Sequence, residues 1–207
     1  MTSFYDRYVL PRFIGCACGA GIIAKQRSRI VPRAEGRVLE LGIGGGLNLA
    51  FYDPAKVSSV TGIDPSEGLR DVAMAAPRSP DLKVEILAGT AETLGFEDHS
   101  FDTVVCTFTL CSVQAPAEVL AQARRVLKPG GRFLFCEHGL APDPKVARWQ
   151  RGLEPFWTPL AGGCHLTRPV GATITAAGFT IDEGQAFYMP KTPRSLGWCE
   201  LGVARLA

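Results

Sequence analysis

Two carboxylates and a glycine cluster carry the first chemical signal in the chain. Glu40 and Asp64 each sit at the end of a short apolar run, Val38-Leu39-Glu40-Leu41 and Val60-Thr61-Gly62-Ile63-Asp64. Between them lies Gly42-Ile43-Gly44-Gly45-Gly46. Glycines lacking Cβ let a ligand lie directly on the main chain, and a helix start beside them offers unpaired N–H groups. A carboxylate is a pure acceptor with two oxygens, suited to the two hydroxyls of a ribose. Gly42, Gly44, Gly46 and Asp64 are therefore candidate ligand-binding residues, with Pro65 and Ser66 flanking. Glu40 is a candidate for ordering the loop or for meeting an ammonium group. The glycine turn alone fits nicotinamide and flavin sites equally well. A phosphate loop ending in G-K-[ST] is absent, as is an evident cation for a pyrophosphate.

The chain has three histidines. His138, in Glu137-His138-Gly139, is the best candidate for a base, because a neutral imidazole takes up a proton near pH 7. His165 follows Cys164 in a segment that could cover an acceptor pocket. His99 lies in the polar turn Glu97-Asp98-His99-Ser100 and is expected to be exposed. No metal site is expected. Cys16-x-Cys18 and Cys164-His165 are too close in sequence for a C-x₂₋₄-C ligand pair, and no matching second pair follows. Cys111 with His138 would need a proximity that linear order does not display. Seven cysteines are an odd number, and reduced thiols fit a chain too large to need disulfide staples. Cys106, Cys111 and Cys136 read as small buried hydrophobes.

These residues need parallel strands to bring them to one edge. Short apolar runs at residues 36–41, 57–63, 84–87, 101–108 and 132–136 read as buried strands. Helices are expected after the glycine turn (residues 47–52), over residues 66–76 with Ser66 as N-cap, and over residues 116–126. Residues 127–131 read as a tight turn. Such alternation predicts an α/β fold, a three-layer doubly wound sheet. Beyond Gly139 the pattern loosens into a helical segment over residues 142–159, a helix over residues 167–177 capped by Thr167, and two last strands over residues 179–187 and 198–205. In a doubly wound sheet ligands sit outside the carboxyl ends of the strands, where the strand order reverses. Glu40, Gly42, Asp64, Ala91, Glu92 and Thr107 all fall near that edge.

Ahead of the first strand, residues 1–35 read as a helical cover, and residues 36–207 as the main domain. Tyr5, Tyr8 and Arg12 would be the polar groups of a lid. The basic run Lys25-Gln26-Arg27-Ser28-Arg29 reads as a solvated helix face. Trp149, Phe156, Trp157, Phe187 and Tyr188 suggest an apolar wall for an acceptor. A net charge of +2, with no cationic run interleaved with aromatics, argues against a nucleic-acid partner. No run reaches the ~18 apolar residues of a membrane span, and the amino end lacks an export signal, so a cytoplasmic location is expected. The sequence carries no signal for oligomeric state.

The motifs E-L-G-I-G-G-G, G-I-D-P-S, F-D-T-V-V and V-L-K-P-G-G resemble the ordered motifs of class I S-adenosylmethionine-dependent methyltransferases. C-T-F-T-L-C-S-V (residues 106–113), C-E-H (136–138) and G-C-H-L-T-R (163–168) are similar to the methyltransferase-like 7 group, which includes thiol methyltransferases. The resemblance implies a Rossmann-like, mostly parallel seven-stranded sheet with a C-terminal antiparallel strand. It implies S-adenosyl-L-methionine as cofactor, its methionine and ribose against Gly42, Gly44 and Gly46, and its ribose hydroxyls on Asp64. It further implies adenine on the Ala91 N–H and the Glu92 carboxylate, and a methionine contact from Thr107. The amino-terminal anchor of the membrane-anchored members is not expected here. The implied activity is direct in-line methyl transfer to a small, apolar acceptor, a thiol being one option. Oxygen or nitrogen of a small molecule or lipid is another acceptor. An inactive cofactor-binding protein, a nicotinamide oxidoreductase and a three-cysteine arsenic methyltransferase complete the alternatives.

Overall fold

The computed structural model describes residues 21–207. The expected lid residues Tyr5, Tyr8 and Arg12 lie outside the described residues, as do Cys16 and Cys18. Helix α1 spans Gly21–Ile30 and passes through a short 3₁₀ turn, Val31–Arg33, to the first strand. The strands are β1 (Gly36–Leu41), β2 (Val57–Asp64), β3 (Val84–Ala88), β4 (Phe101–Thr107), β5 (Leu127–His138), β6 (Phe179–Tyr188) and β7 (Trp198–Leu206). Helices α2 (Glu67–Met74), α3 (Pro116–Val126), α4 (Pro144–Leu160) and α5 (Val170–Ala176) complete the main elements.

One seven-stranded sheet has the order β3-β2-β1-β4-β5-β7-β6. β1 pairs in parallel with both β2 and β4, so the order reverses there and a crevice opens at the carboxyl ends of β1 and β4. β7 runs antiparallel to β5 and to β6, giving the expected single antiparallel strand. The central strands are apolar on both faces because both faces are covered. In β4, Val104 packs on one side with Phe133, Phe135 and the α3 residues Val119, Leu120 and Ala123. Its neighbour Val105 packs on the other with Ile30, Val38, Leu134 and Cys136. This two-residue alternation brings both layers onto one sheet.

Three local expectations change. The helix after the glycine turn is only a 3₁₀ turn, Leu49–Phe51, because Tyr52 is already extended ahead of Pro54. Residues 127–131 belong to β5, where Leu127 pairs with Phe101 before a register shift. The helix expected over residues 167–177 begins at Val170 behind Pro169, and the Thr167 N–H goes to Glu154 Oε2 at 2.8 Å instead of starting it. Ser66 does cap α2, its side chain accepting from the Leu69 N–H at 3.4 Å.

Candidate active site

At the carboxyl ends of β1, β2 and β4 lies a cleft of about 720 Å³. Its walls include Gly42, Gly44, Gly45, Asp64, Pro65 and Ser66 on one side and Ala91, Glu92 and Thr107 across from them. Most of the predicted binding residues therefore meet in one place. Gly42 has φ +66°, and a Cβ there would lie 2.5 Å from Thr109 Oγ1, so both the turn and the approach of the β4 loop exclude a side chain. Thr109 Oγ1 donates to the Leu41 carbonyl at 3.0 Å, locking the two strand ends together.

Asp64 is buried and already organises the turn. Its Oδ2 accepts from the Gly44 N–H and its Oδ1 from the Ser66 N–H, both at 2.9 Å. Burial raises its pKa, opposed by those two N–H groups and by Arg70. Each carboxylate oxygen, with one N–H bond among the described residues, retains further acceptor capacity at the cleft wall. Glu92 Oε1 accepts from the Gln114 N–H at 3.1 Å, tying the β3 loop to the β4 loop.

Two predicted residues stand behind the wall. Gly46 has φ +74°, and its missing Cβ makes room for Ala76, at 2.8 Å, and for Leu49. It serves packing against α2 and does not line the cleft. Glu40 is buried, with Oε1 accepting from Asn48 Nδ2 at 2.9 Å and Oε2 from the Tyr52 hydroxyl at 2.7 Å. Of the two roles expected for it, ordering the loop is the one these contacts serve. Burial pushes the Glu40 pKa up to about 7, opposed by the Tyr52 hydroxyl and the Arg27 charge.

Arg27 corrects the reading of the basic run as a solvated face. It is 6% exposed and lines the cleft. Its guanidinium donates to Asn48 Oδ1 at 2.8 Å and to Thr107 Oγ1, and sits 5.1 Å over the Phe108 ring. Its Nε is buried without a hydrogen-bond partner among the described residues. Asn48 Nδ2 also donates to Thr107 Oγ1 at 2.9 Å, so Glu40, Asn48, Thr107 and Arg27 form one connected network. Residue type alone could not separate Arg27 from Lys25 and Arg29; only its helical position relative to Ile30 offers a hint.

Phe108 divides this cleft from the predicted base. It has φ +54°, unusual for a bulky residue, and its N–H donates to the Cys136 carbonyl at 2.8 Å. Its ring lines the cleft on one side and meets the His138 ring edge-on at 4.9 Å. His138 is half-buried, with Nδ1 3.9 Å from Cys164 Sγ. Sequence reasoning missed Glu137 beside it. Glu137 is fully buried and accepts three backbone N–H groups, from Thr109 (2.8 Å), Leu110 (3.0 Å) and Cys111 (3.2 Å). Burial raises its pKa against those three bonds. An acid directly after the apolar run Phe133-Leu134-Phe135-Cys136 was the available signal, since a buried charge must find donors.

The carboxyl-terminal half is less concave than expected. Trp149 and Phe156 are 74% and 73% exposed and do not line the cleft. Their side of α4 faces outward, because the helix buries Val146, Ala147 and Gln150 instead. Tyr188 packs on Trp198, and Phe187 lies under Arg29, away from the cleft lining. His165 pairs with Glu154 at 3.1 Å in a separate surface depression, and His99 is exposed as expected. No helix among the described residues is long and apolar enough to cross a membrane.

The chain's residues 39–135 match the family described as "Methyltransferase domain". It is 43% identical over 150 residues to thiol S-methyltransferase TMT1B of Rattus norvegicus, covering 70% of this chain and 61% of that protein. It is 38% identical over 175 residues to the Homo sapiens protein of the same name, covering 82% of this chain and 69% of that one. The chain thus spans about two thirds of the length of these relatives. In fold it matches an S-adenosylmethionine-dependent methyltransferase from Mesorhizobium loti, with TM-score 0.67 and 22% identity over 90% of this chain and 99% of that one.

Proposed function

We propose, from the premise that the chain belongs to the class I S-adenosylmethionine-dependent methyltransferases, that it transfers the methyl group of S-adenosyl-L-methionine to a small, apolar thiol. The observation that carries the donor half is the convergence of Gly42, Gly44, Asp64, Ala91, Glu92 and Thr107 on one cleft. The residues present suit that donor. Asp64 offers lone pairs for the ribose diol, and the Ala91–Glu92 corner offers an N–H and a carboxylate for adenine. Arg27 adds a buried guanidinium whose Nε has no partner among the described residues, suited to the donor's amino-acid carboxylate. Glu40 supports these groups through Asn48 and Thr107. When bound, the sulfonium supplies an electrophilic methyl group that needs no metal to be reactive.

The acceptor assignment rests on the likeness to proteins named as thiol S-methyltransferases. A thiol reacts as its thiolate, and an ordinary thiol pKa near 8.5 requires only modest help at neutral pH. His138 is the proposed proton acceptor, supported by its half-burial against the ring of Phe108, a cleft-lining residue, although His138 itself does not line the cleft. The chain's remaining contribution is alignment and exclusion of water. Residues 1–35 are proposed to cover the cleft; Arg27, reaching in from α1, supports that reading. A reducing setting, the cytoplasm, suits the free thiols of Cys136 and Cys199, which lie 3.8 Å apart unbonded.

Transfer of labelled methyl from S-adenosyl-L-methionine to matched panels of thiols, amines and alcohols tests the proposal. Turnover confined to thiols is expected. Turnover on amines or alcohols alone overturns the acceptor, and donor binding without any turnover overturns the enzyme reading in favour of a binding protein.

A further inference from the structure

Next to Phe108, whose ring meets that of His138, three soft donors converge from distant parts of the chain. Cys111 lies in the turn after β4, His138 closes β5, and Cys164 follows α4. Their ligand atoms all lie within 4.8 Å of one another, and Cys164 Sγ is 3.9 Å from His138 Nδ1. Both thiols are buried, with Cys111 1% and Cys164 7% exposed. We propose that Cys111, Cys164 and His138 form a binding site for a thiophilic d¹⁰ cation, with zinc(II) the divalent case.

Distance supports it. Zinc–sulfur bonds of ~2.3 Å and zinc–nitrogen bonds of ~2.0 Å in a tetrahedron place donor atoms roughly 3.5–3.8 Å apart. The three atoms need to close by at most about 1.3 Å along any edge to reach that separation. Charge supports it also, because two thiolates and a neutral imidazole offset a dication where a bare charge would be costly to bury. The backbone around the donors is fixed. The Cys111 N–H is held by Glu137 Oε2 at 3.2 Å, and the Cys111 carbonyl accepts from the His165 N–H at 2.7 Å. Gly163, with φ +86°, lets that segment come close, since a Cβ there would lie 3.2 Å from the Ser112 carbonyl. The three residues supply two sulfurs and one nitrogen, a soft set that selects against magnesium and calcium.

The linear spacing that argued against a metal did not bear on this arrangement, because each ligand comes from a different segment. Cys136 and Cys199 form a second close thiol pair, at 3.8 Å, without an imidazole. They provide an internal control. A bound cation would occupy the His138 lone pair, so cation binding and proton uptake by His138 exclude one another at any moment. The site itself does not depend on the methyl-transfer reading.

The test uses the full chain, reduced and then freed of thiol reductant and chelator. Zinc(II) is titrated against a chromophoric chelator, and cobalt(II) is added to a parallel sample. One cation per chain is expected, with thiolate-to-cobalt charge-transfer bands and the visible bands of a tetrahedral site. Cys111→Ser and Cys164→Ser should each abolish stoichiometric binding, while Cys199→Ser leaves it intact. Absence of cobalt–thiolate bands in the unaltered protein would overturn the proposal regardless of whether the variants fold. So would unchanged binding in both folded variants, or loss in Cys199→Ser alone. Because the readout is cation binding, it remains informative whether or not thiols are methylated.

Discussion

Replacing Asp64 with alanine should weaken donor binding by roughly 30- to 1,000-fold. The carboxylate already holds the Gly44 and Ser66 N–H groups at 2.9 Å each, so its position is fixed before any ligand arrives. The ribose diol would add two hydrogen bonds to a charged acceptor, at about 1.5–3 kcal/mol each. Part of that gain is offset, because keeping the carboxylate ionised in this buried position is itself unfavourable, as its raised pKa records. A net loss of about 2–4 kcal/mol remains, and at about 1.4 kcal/mol per tenfold it gives the stated range. Isothermal titration with S-adenosylhomocysteine, alongside circular-dichroism melts of each protein, measures it. Asp64→Asn keeps one acceptor oxygen and should fall between the wild type and Asp64→Ala. A folded Asp64→Ala protein binding within about threefold of wild type would refute the ribose assignment, since the loss of two charge-assisted bonds cannot be so small.

Arg27→Met removes the charged donor to Thr107 Oγ1 and the proposed carboxylate partner; donor affinity in the same titration should fall about tenfold or more, and an unchanged value rules that partner out. Glu137→Gln keeps the oxygen that can serve Thr109 and Leu110 but turns an amide donor toward the Cys111 N–H, so urea unfolding should reveal a loss of about 1–3 kcal/mol. A loss under about 0.5 kcal/mol would mean that water or relaxation replaces the missing acceptor. Glu40 has a folded pKa of about 7 against an ordinary 4.5, so the folded protein binds its proton more tightly than the unfolded chain does. Its contribution is therefore full below 4.5 and is lost as pH rises through about 7, a change on the order of 3 kcal/mol. Urea melts across that window should reveal wild type losing stability relative to Glu40→Gln as pH rises; parallel curves would contradict the burial argument.

The donor half was legible because its residues are local to strand ends. Gly42 and Asp64 each follow an apolar run directly, and the parallel pairing of Glu40 with Gly62 and of Asp64 with Ala88 brings those ends to one edge. Neither Gly42 nor Asp64 depends on knowing how a distant segment packs. Arg27 was illegible for the opposite reason. It belongs to a basic run whose members differ only in which way α1 is turned, and one turn buries Arg27 while Lys25 and Ser28 stay out. The outward placement of Trp149 and Phe156 was illegible in the same way. The helical segment expected over residues 142–159 forms as Pro144–Leu160, but which way it is turned carries Trp149 and Phe156 outward.

Phe108 joins what was legible to what was not. The sequence reading ended β4 at Phe108, one residue beyond its observed end at Thr107. At Phe108 the chain instead enters the left-handed region, which costs a bulky residue of order 1–3 kcal/mol. Three groups hold it there: the Cys136 carbonyl accepting its N–H, the Arg27 guanidinium over its ring, and the His138 ring at its edge. That turn sends Thr109 back toward Gly42 and leads into the Leu110–Cys111 backbone gathered by Glu137. One strained residue thus separates a hard, oxygen-rich cleft suited to a nucleoside from a soft cluster of sulfur and nitrogen. The hard side follows from motif order. The soft side requires β5 to lie beside β4 and the segment after α4 to fold back over both, and that long-range closure is the information a linear pattern lacks.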